Sequence, residues 1–179
     1  MAIDPQSTGT DLDNGAARRP LRLLIVDDDI VQQELMRRAA GTSKFEMTVA
    51  GSCSEAIRHL EADGFDCVIL DLELADGDGV DVCRAMVGAG YSGALIIISG
   101  TDSRRRSAAR AYARSLGIVA QGLPKPVDLS SLRVCLANLS QDIQGLPAIH
   151  DCRGPSLVLT NESHRADLIR AARSRRRQP

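Results

Sequence analysis

The 179-residue sequence predicts an α/β fold: a doubly wound, five-stranded parallel sheet with helices on both faces and a helical extension at the C-terminus. Three observations predict it. Short, continuously apolar runs recur along the chain, as in Ile25-Val26, Cys67-Val68-Ile69-Leu70 and Leu95-Ile96-Ile97-Ile98, and strands of that kind suit a parallel sheet covered on both sides. Segments with helical spacing separate these runs. Hydrophobic residues make up 44% of the chain and aromatics only 2%, with no Trp, so the core is built from Leu, Ile, Val and Ala.

The elements follow in order. Residues 1–19 are polar and too poor in apolar groups to pack, and are expected to be a disordered tail. Leu21 to Val26 is the first strand and runs into Asp27-Asp28-Asp29. A helix from Ile30 to Ala40 follows, with Val31, Leu35 and Ala39 expected along its inner face, Asp29 as its cap and Gly41 as its stop. Phe45 to Ala50 is the second strand. Ser52 and Glu55 form a capping-box pattern for a helix to about Ala62, with Ala56, Ile57 and Leu60 inward. Cys67 to Asp71 is the third strand. A third helix from Asp78 or Gly79 is expected to bury Val80, Cys83 and Val87. Ala94 to Ser99 is the fourth strand. Thr101 or Asp102 is placed as the cap of a fourth helix that ends near Leu116. Ile118 to Leu123 is the fifth strand, followed by a rigid turn at Pro124-Lys125-Pro126. Asp128 caps a fifth helix to about Asp142, with Leu129, Leu132, Leu136 and Leu139 inward.

Residues 20–143 thus form one βα-alternating domain, and 144–179 read as a linker followed by a basic helix from about Arg165 to Arg176. The net charge of −1 conceals an asymmetry: Leu146 to Pro179 holds seven Arg against three acids. No apolar run reaches the roughly 18 to 20 residues of a membrane span. A single basic helix without a helix-turn-helix partner gives no basis for specific DNA binding, so neither a membrane nor nucleic acid is an expected partner. The five cysteines show no metal-binding or disulfide spacing, and the N-terminus lacks the pattern of a secretory signal. Reduced thiols in a cytoplasmic protein are expected.

Open α/β sheets place their chemistry at the carboxyl ends of the strands. With strand order 2-1-3-4-5, Asp27 and Asp28 end strand one and Asp71 ends the neighbouring strand three. Crowded carboxylates repel unless a cation neutralises them, and an oxygen-only set favours a hard ion; Mg²⁺ suits best. Lys125 from strand five adds a fixed positive charge, and Ser99 from strand four adds a hydroxyl. Such a set accommodates a phosphoryl group on Asp71. The alternative roles for single residues are ordinary: Asp29, Asp76 and Asp78 as caps or turn residues, and Arg104-Arg105-Arg106 as a solvated helix face.

Leu24-Ile25-Val26-Asp27-Asp28-Asp29, Val68-Ile69-Leu70-Asp71, Asp78-Gly79, Ile98-Ser99-Gly100 and Lys125-Pro126 together resemble the receiver domain of bacterial two-component response regulators, whose fold is flavodoxin-like. The resemblance covers roughly residues 20 to 143. It implies that Asp71 is the phosphoacceptor, taking a phosphoryl group from a histidine kinase or phosphotransfer protein. It further implies that Asp27, Asp28, Asp71 and the backbone carbonyl of Glu73 hold Mg²⁺. Ser99 would be the switch hydroxyl, Gly100 the small residue that leaves room for the phosphoryl group, and Lys125 its contact. Slow self-dephosphorylation is implied, with no separate catalytic domain in this chain. A homodimer through helix four, strand five and helix five, or through the C-terminal helix, is a further expectation.

The chain departs from the family pattern at three positions. Ala75 stands where proline is usual, Val127 where an aromatic is frequent, and Gly122 where Tyr or Phe commonly relays the switch. Residues 166–179 are weakly similar to the lead-in helix of EAL-type cyclic-di-GMP phosphodiesterases. That similarity supports a second expectation, that the chain is the N-terminal regulatory part of a larger enzyme. A pseudo-receiver interaction module is a third, and the complete acidic, hydroxyl and lysine set argues against it. A flavodoxin-like cofactor binder would need a phosphate-binding loop where this chain has Asp27 to Asp29.

Overall fold

A computed structural model describes residues 19–41, 45–100 and 103–144. It contains the strands β1 (Leu21–Val26), β2 (Phe45–Ala50), β3 (Cys67–Asp71), β4 (Ala94–Ser99) and β5 (Val119–Pro124). The helices are α1 (Ile30–Ala40), α2 (Cys53–Ala62), α3 (Gly79–Gly88), α4 (Ser103–Ser115) and α5 (Leu129–Gln144). The strands pair in parallel in the order β2-β1-β3-β4-β5. The fold is therefore the doubly wound α/β sheet that the sequence predicts. An antiparallel pair of two-residue strands, Glu73–Leu74 with Gly77–Asp78, closes the loop after β3 where the sequence predicts only a Gly- and Asp-rich loop.

Side chains alternate across a strand, so each strand feeds two cores. Leu23, Ile25, Ile69 and Ile96 pack with Met36 of α1 and Leu132, Leu136 and Leu139 of α5. Leu24, Val26, Leu70 and Ile97 pack on the other face with Leu60 of α2, Met86 of α3 and Ala109 and Ala113 of α4. Burying a side chain of this size stabilises by roughly 1.5 to 3 kcal/mol relative to leaving it exposed. The near-complete burial of β1, β3 and β4 therefore anchors the strand ends from which the candidate site projects.

The helix caps follow local chemistry. Asp29 Oδ1 accepts from Val31 N (2.7 Å) and starts α1, and Asp128 accepts from Ser130 N and Ser131 N at the start of α5. Ser52 Oγ accepts from Glu55 N (3.1 Å), while the Glu55 carboxylate reaches back to Gly51 N (2.8 Å). Two inner faces differ from expectation. On α1, Val31 is 65% exposed and Leu35 only half-buried, and the buried residues are Met36, Ala39 and Ala40. On α3, Val87 is exposed and Val80 half-buried, and Val82, Cys83 and Met86 face the core. Both sequences contain two apolar stripes one residue apart, and the docking angle on the sheet selects between them.

Arg19, the last residue of the expected tail, forms a two-pronged ion pair with the buried Asp66 (2.7 Å for each contact). Cys53, Cys67, Cys83 and Cys135 are buried free thiols, and burial pushes Cys83 up to about 11. Cys152, the expected cap residues Thr101 and Asp102, and the linker and basic helix lie outside the described residues. Among the described residues no helix is long and apolar enough to cross a membrane.

Candidate functional site

The carboxyl ends of β1, β3, β4 and β5 meet at one edge of the sheet. Asp27 follows β1 directly, and Asp71 is the last residue of β3. β1 and β3 are hydrogen-bonded neighbours, with Val26 opposite Leu70, so the two acids are adjacent by register. Carboxylate oxygens of Asp27, Asp28 and Asp71 all lie within 4.8 Å of one another. Asp27 and Asp71 are buried, at 0% and 3% exposure, and Asp28 is exposed at the rim.

Each acid is held by at least one hydrogen bond. Asp27 Oδ1 accepts from Asp29 N (2.9 Å), and its carbonyl accepts from Gln33 Nε2 (2.6 Å). Asp28 Oδ2 accepts from Ala75 N (3.0 Å), which ties the rim to the loop after β3. Asp71 Oδ1 accepts from Glu73 N (3.3 Å). Lys125, just past β5, donates from Nζ to Asp71 Oδ2 (2.7 Å) and to Asp27 Oδ2 (3.0 Å).

Burial pushes the Asp27 carboxyl above its ordinary value, and the opposing pull of the Asp29 amide and Lys125 does not cancel it. Burial by itself lowers the Lys125 ammonium. Its hydrogen bonds to Asp71 and Asp27, and their charges, outweigh that and hold it above its ordinary value. Three carboxylates against one ammonium leave an uncompensated negative charge at the mouth. Three carboxylate oxygens within 4.8 Å of one another make an oxygen-only donor set of the kind a hard divalent ion takes.

Ser99 ends β4 and is fully buried. Its carbonyl accepts from Lys125 N (3.1 Å). β4 pairs with β3 so that Ile98 lies opposite Asp71, which puts Ser99 one position beyond the acid on the neighbouring strand. Gly100 follows, and a Cβ there would lie 3.5 Å from Lys125 Cβ, in ordinary contact with the lysine stem. The Lys125-Pro126 peptide is cis. Gly122 lies on β5 opposite Ile97, beneath α4.

Several participants escape a reading of the sequence. Arg105 of α4 reaches over the loop after β3, with Nη2 at 3.1 Å from Asp78 Oδ2 and Nη1 at 3.9 Å from Glu73 Oε1. Arg106 donates to the Ser99 carbonyl (3.4 Å). Asp76, read from the sequence as a cap or turn residue, accepts from Cys53 N (2.6 Å) and Ser54 N (3.1 Å), and what the sequence does not give is that α2 is the helix it caps. The run Arg104-Arg105-Arg106 announced only a charged helix face, and no local signal told which Arg turns toward the sheet.

The family model described as the response regulator receiver domain matches residues 23–137. The response regulator MprA of Mycolicibacterium vanbaalenii is 31% identical over 84 residues, covering 47% of this chain and 36% of that protein. A protein-glutamate methylesterase/protein-glutamine glutaminase of Bradyrhizobium diazoefficiens is 35% identical over 118 residues, covering 63% of this chain and 29% of that protein. The chain thus spans about a third of the length of these curated relatives. Among solved structures, a response regulator from Colwellia psychrerythraea has a TM-score of 0.58 at 27% identity, covering 69% of this chain and 98% of its own. The signal receiver domain of an HD domain-containing protein from Pseudomonas fluorescens Pf-5 has a TM-score of 0.62 at 20% identity, covering 73% of this chain and 93% of its own, and shares the fold.

Proposed function

This chain belongs to the response regulator receiver domain family, and from that premise we propose that it accepts a phosphoryl group on Asp71 from a histidine kinase or phosphotransfer protein and passes the change on to an output. The observation that carries the reading is the pairing of a buried Asp71 with Lys125 at 2.7 Å beside two further carboxylates. In the transfer a carboxylate oxygen of Asp71 attacks phosphorus as the bond to the donor's imidazole nitrogen breaks. The electron pair of that bond stays on the nitrogen, which takes up a proton, and Asp71 becomes an acyl phosphate. The ionised carboxylate has no proton to lose, so the site needs no general base.

Asp27, Asp28, Asp71 and the Glu73 carbonyl are the residues proposed to hold Mg²⁺. When bound, the ion supplies positive charge to the transferring phosphoryl oxygens. Lys125 supplies a second positive charge, and its two bonds to Asp27 and Asp71 hold it in place before the donor arrives. The Ser99 hydroxyl is proposed as the group that turns to a phosphoryl oxygen, and Gly100 leaves the approach open. Slow hydrolysis of the acyl phosphate resets the site. Residues 20–143 are the receiver, in a protein that works in the cytoplasm.

The test is incubation of the full chain with Mg²⁺ and acetyl phosphate, followed by intact-mass analysis. One phosphoryl adduct, stable in acid and labile in base, is expected, and Asp71→Asn abolishes it. An adduct of equal yield on Asp71→Asn overturns the reading, and so does the absence of any adduct on the wild-type chain.

A further inference from the structure

Gly122 and α4 form a packed unit. A Cβ at position 122 would lie 2.8 Å from Arg110 Cδ and 3.2 Å from Arg106 Cγ and Cδ, so two arginine stems fill the space above the glycine. Arg106, Arg110 and Arg114 are spaced four apart and share one face of α4. Arg106 Nη1 donates to the Ser99 carbonyl at 3.4 Å, and Arg114 Nη2 donates to the Ala120 carbonyl at 3.3 Å. The Ser99 carbonyl also accepts from the backbone N–H of Lys125. One oxygen at the end of β4 thus joins the lysine at the acidic site to an arginine on α4.

The row is held against a local cost. Among the described residues Arg110 Nε is buried and has no hydrogen-bond partner. Burial first, then the neighbouring Arg114 and Arg106 charges, hold Arg110 below its ordinary value. None of Arg106, Arg110 and Arg114 forms an ion pair among the described residues. Like charges in a row relax outward when a contact that restrains them is lost.

We propose that Arg106 is a positioning residue that reports the state of the Asp71 site to α4, through its hydrogen bond to the Ser99 carbonyl and its packing over Gly122. The proposal rests on phosphorylation of Asp71 as stated above. Ser99 lies at the end of β4 beside Asp71, and a backbone shift there as its hydroxyl turns toward a phosphoryl oxygen on Asp71 alters the carbonyl to which Arg106 is bonded. Arg106 then loses its hold on β4, and repulsion from Arg110 loosens α4 from β5. A larger residue at 122 would push both arginine stems aside.

The experiment is hydrogen–deuterium exchange of the full chain, read by mass spectrometry over peptides covering 103–115, before and after phosphorylation with Mg²⁺ and acetyl phosphate. Adduct yield is measured in each sample. Phosphorylation of the wild-type chain is expected to speed α4 exchange about threefold or more. Arg106→Ala is expected to form the adduct to within about twofold of wild type, while its α4 exchange is already fast and responds little to phosphorylation. Arg106→Lys keeps the charge but not the reach of the guanidinium, and retains part of the response. Gly122→Ala, on a different element, perturbs the same stems and is expected to lose the response too.

Exchange over β1 and β3 shows whether each variant is folded, and should Arg106→Ala fail there, Arg106→Lys and Gly122→Ala decide. A wild-type-sized α4 response in the folded variants at equal adduct overturns the proposal. A wild-type adduct with no change in α4 overturns it too and leaves the phosphoacceptor reading standing. No wild-type adduct removes both.

Discussion

The ammonium of Lys125 lies 2.7 Å from Asp71 Oδ2 and 3.0 Å from Asp27 Oδ2, so one cation serves two buried acids at the ends of different strands. Removing a partner from a buried ion pair costs about 3 to 5 kcal/mol where the site is sealed. Here Lys125 keeps 22% side-chain exposure, which screens the interaction, so Lys125→Met is expected to cost about 2 kcal/mol in urea unfolding. Millimolar Mg²⁺ should recover more stability in this variant than in wild type, because it replaces missing positive charge. Equal recovery in the two proteins would sink this account.

Gly79 opens α3 against the end of β3. A Cβ there would lie 2.7 Å from the Asp71 carbonyl oxygen and 2.9 Å from Leu72 Cα, both backbone atoms that cannot swing aside. Gly79→Ala is expected to destabilise by about 2 kcal/mol and to slow phosphorylation of Asp71 by shifting its strand end. Gly88, at the other end of α3, has nothing within 4 Å of such a Cβ. Gly88→Ala should leave phosphorylation unchanged and stability equal or slightly higher. Denaturant unfolding and adduct kinetics of the pair check both statements.

Arg105 neutralises acids at the mouth of the site, at 3.1 Å from Asp78 and 3.9 Å from Glu73. All three side chains are nearly half exposed, so the contribution to stability is small. Arg105→Glu turns that mouth more negative and opposes an anionic donor. The rate with acetyl phosphate is expected to fall about threefold to tenfold at low salt, and the loss to shrink as ionic strength rises. A salt-independent defect would point to a distorted site.

Asp76 caps α2 from the loop after β3. The backbone N–H groups of Cys53, then of Ser54, hold its carboxyl below the ordinary carboxylate range. A group depressed in the folded state stabilises above its unfolded value, about 3.9, and loses that contribution as pH falls through the lower folded value. Asp76→Ala should therefore lower the melting temperature at neutral pH, with the difference from wild type closing once pH is below the folded value. A difference that persists unchanged in acid would mean that the residue acts by packing.

Strands, helices and their caps were legible because they depend on neighbours in sequence. The runs Cys67 to Asp71 and Ala94 to Ser99 are apolar enough to be strands in any context, and Asp29, Ser52 and Asp128 cap helices that start one residue later. The acids at the strand ends were legible too, since parallel register brings neighbouring strand ends together without further information. Tertiary structure decided what depends on docking and on reach. The sheet chose Met36 over Val31 on α1, and Met86 over Val87 on α3, from stripes of comparable apolarity. It aimed Asp76 at α2, Arg105 at Asp78 and Arg106 at the Ser99 carbonyl. Long side chains with several rotatable bonds carry no local signal of direction, and only the packed elements around them leave a single place for each charge to go.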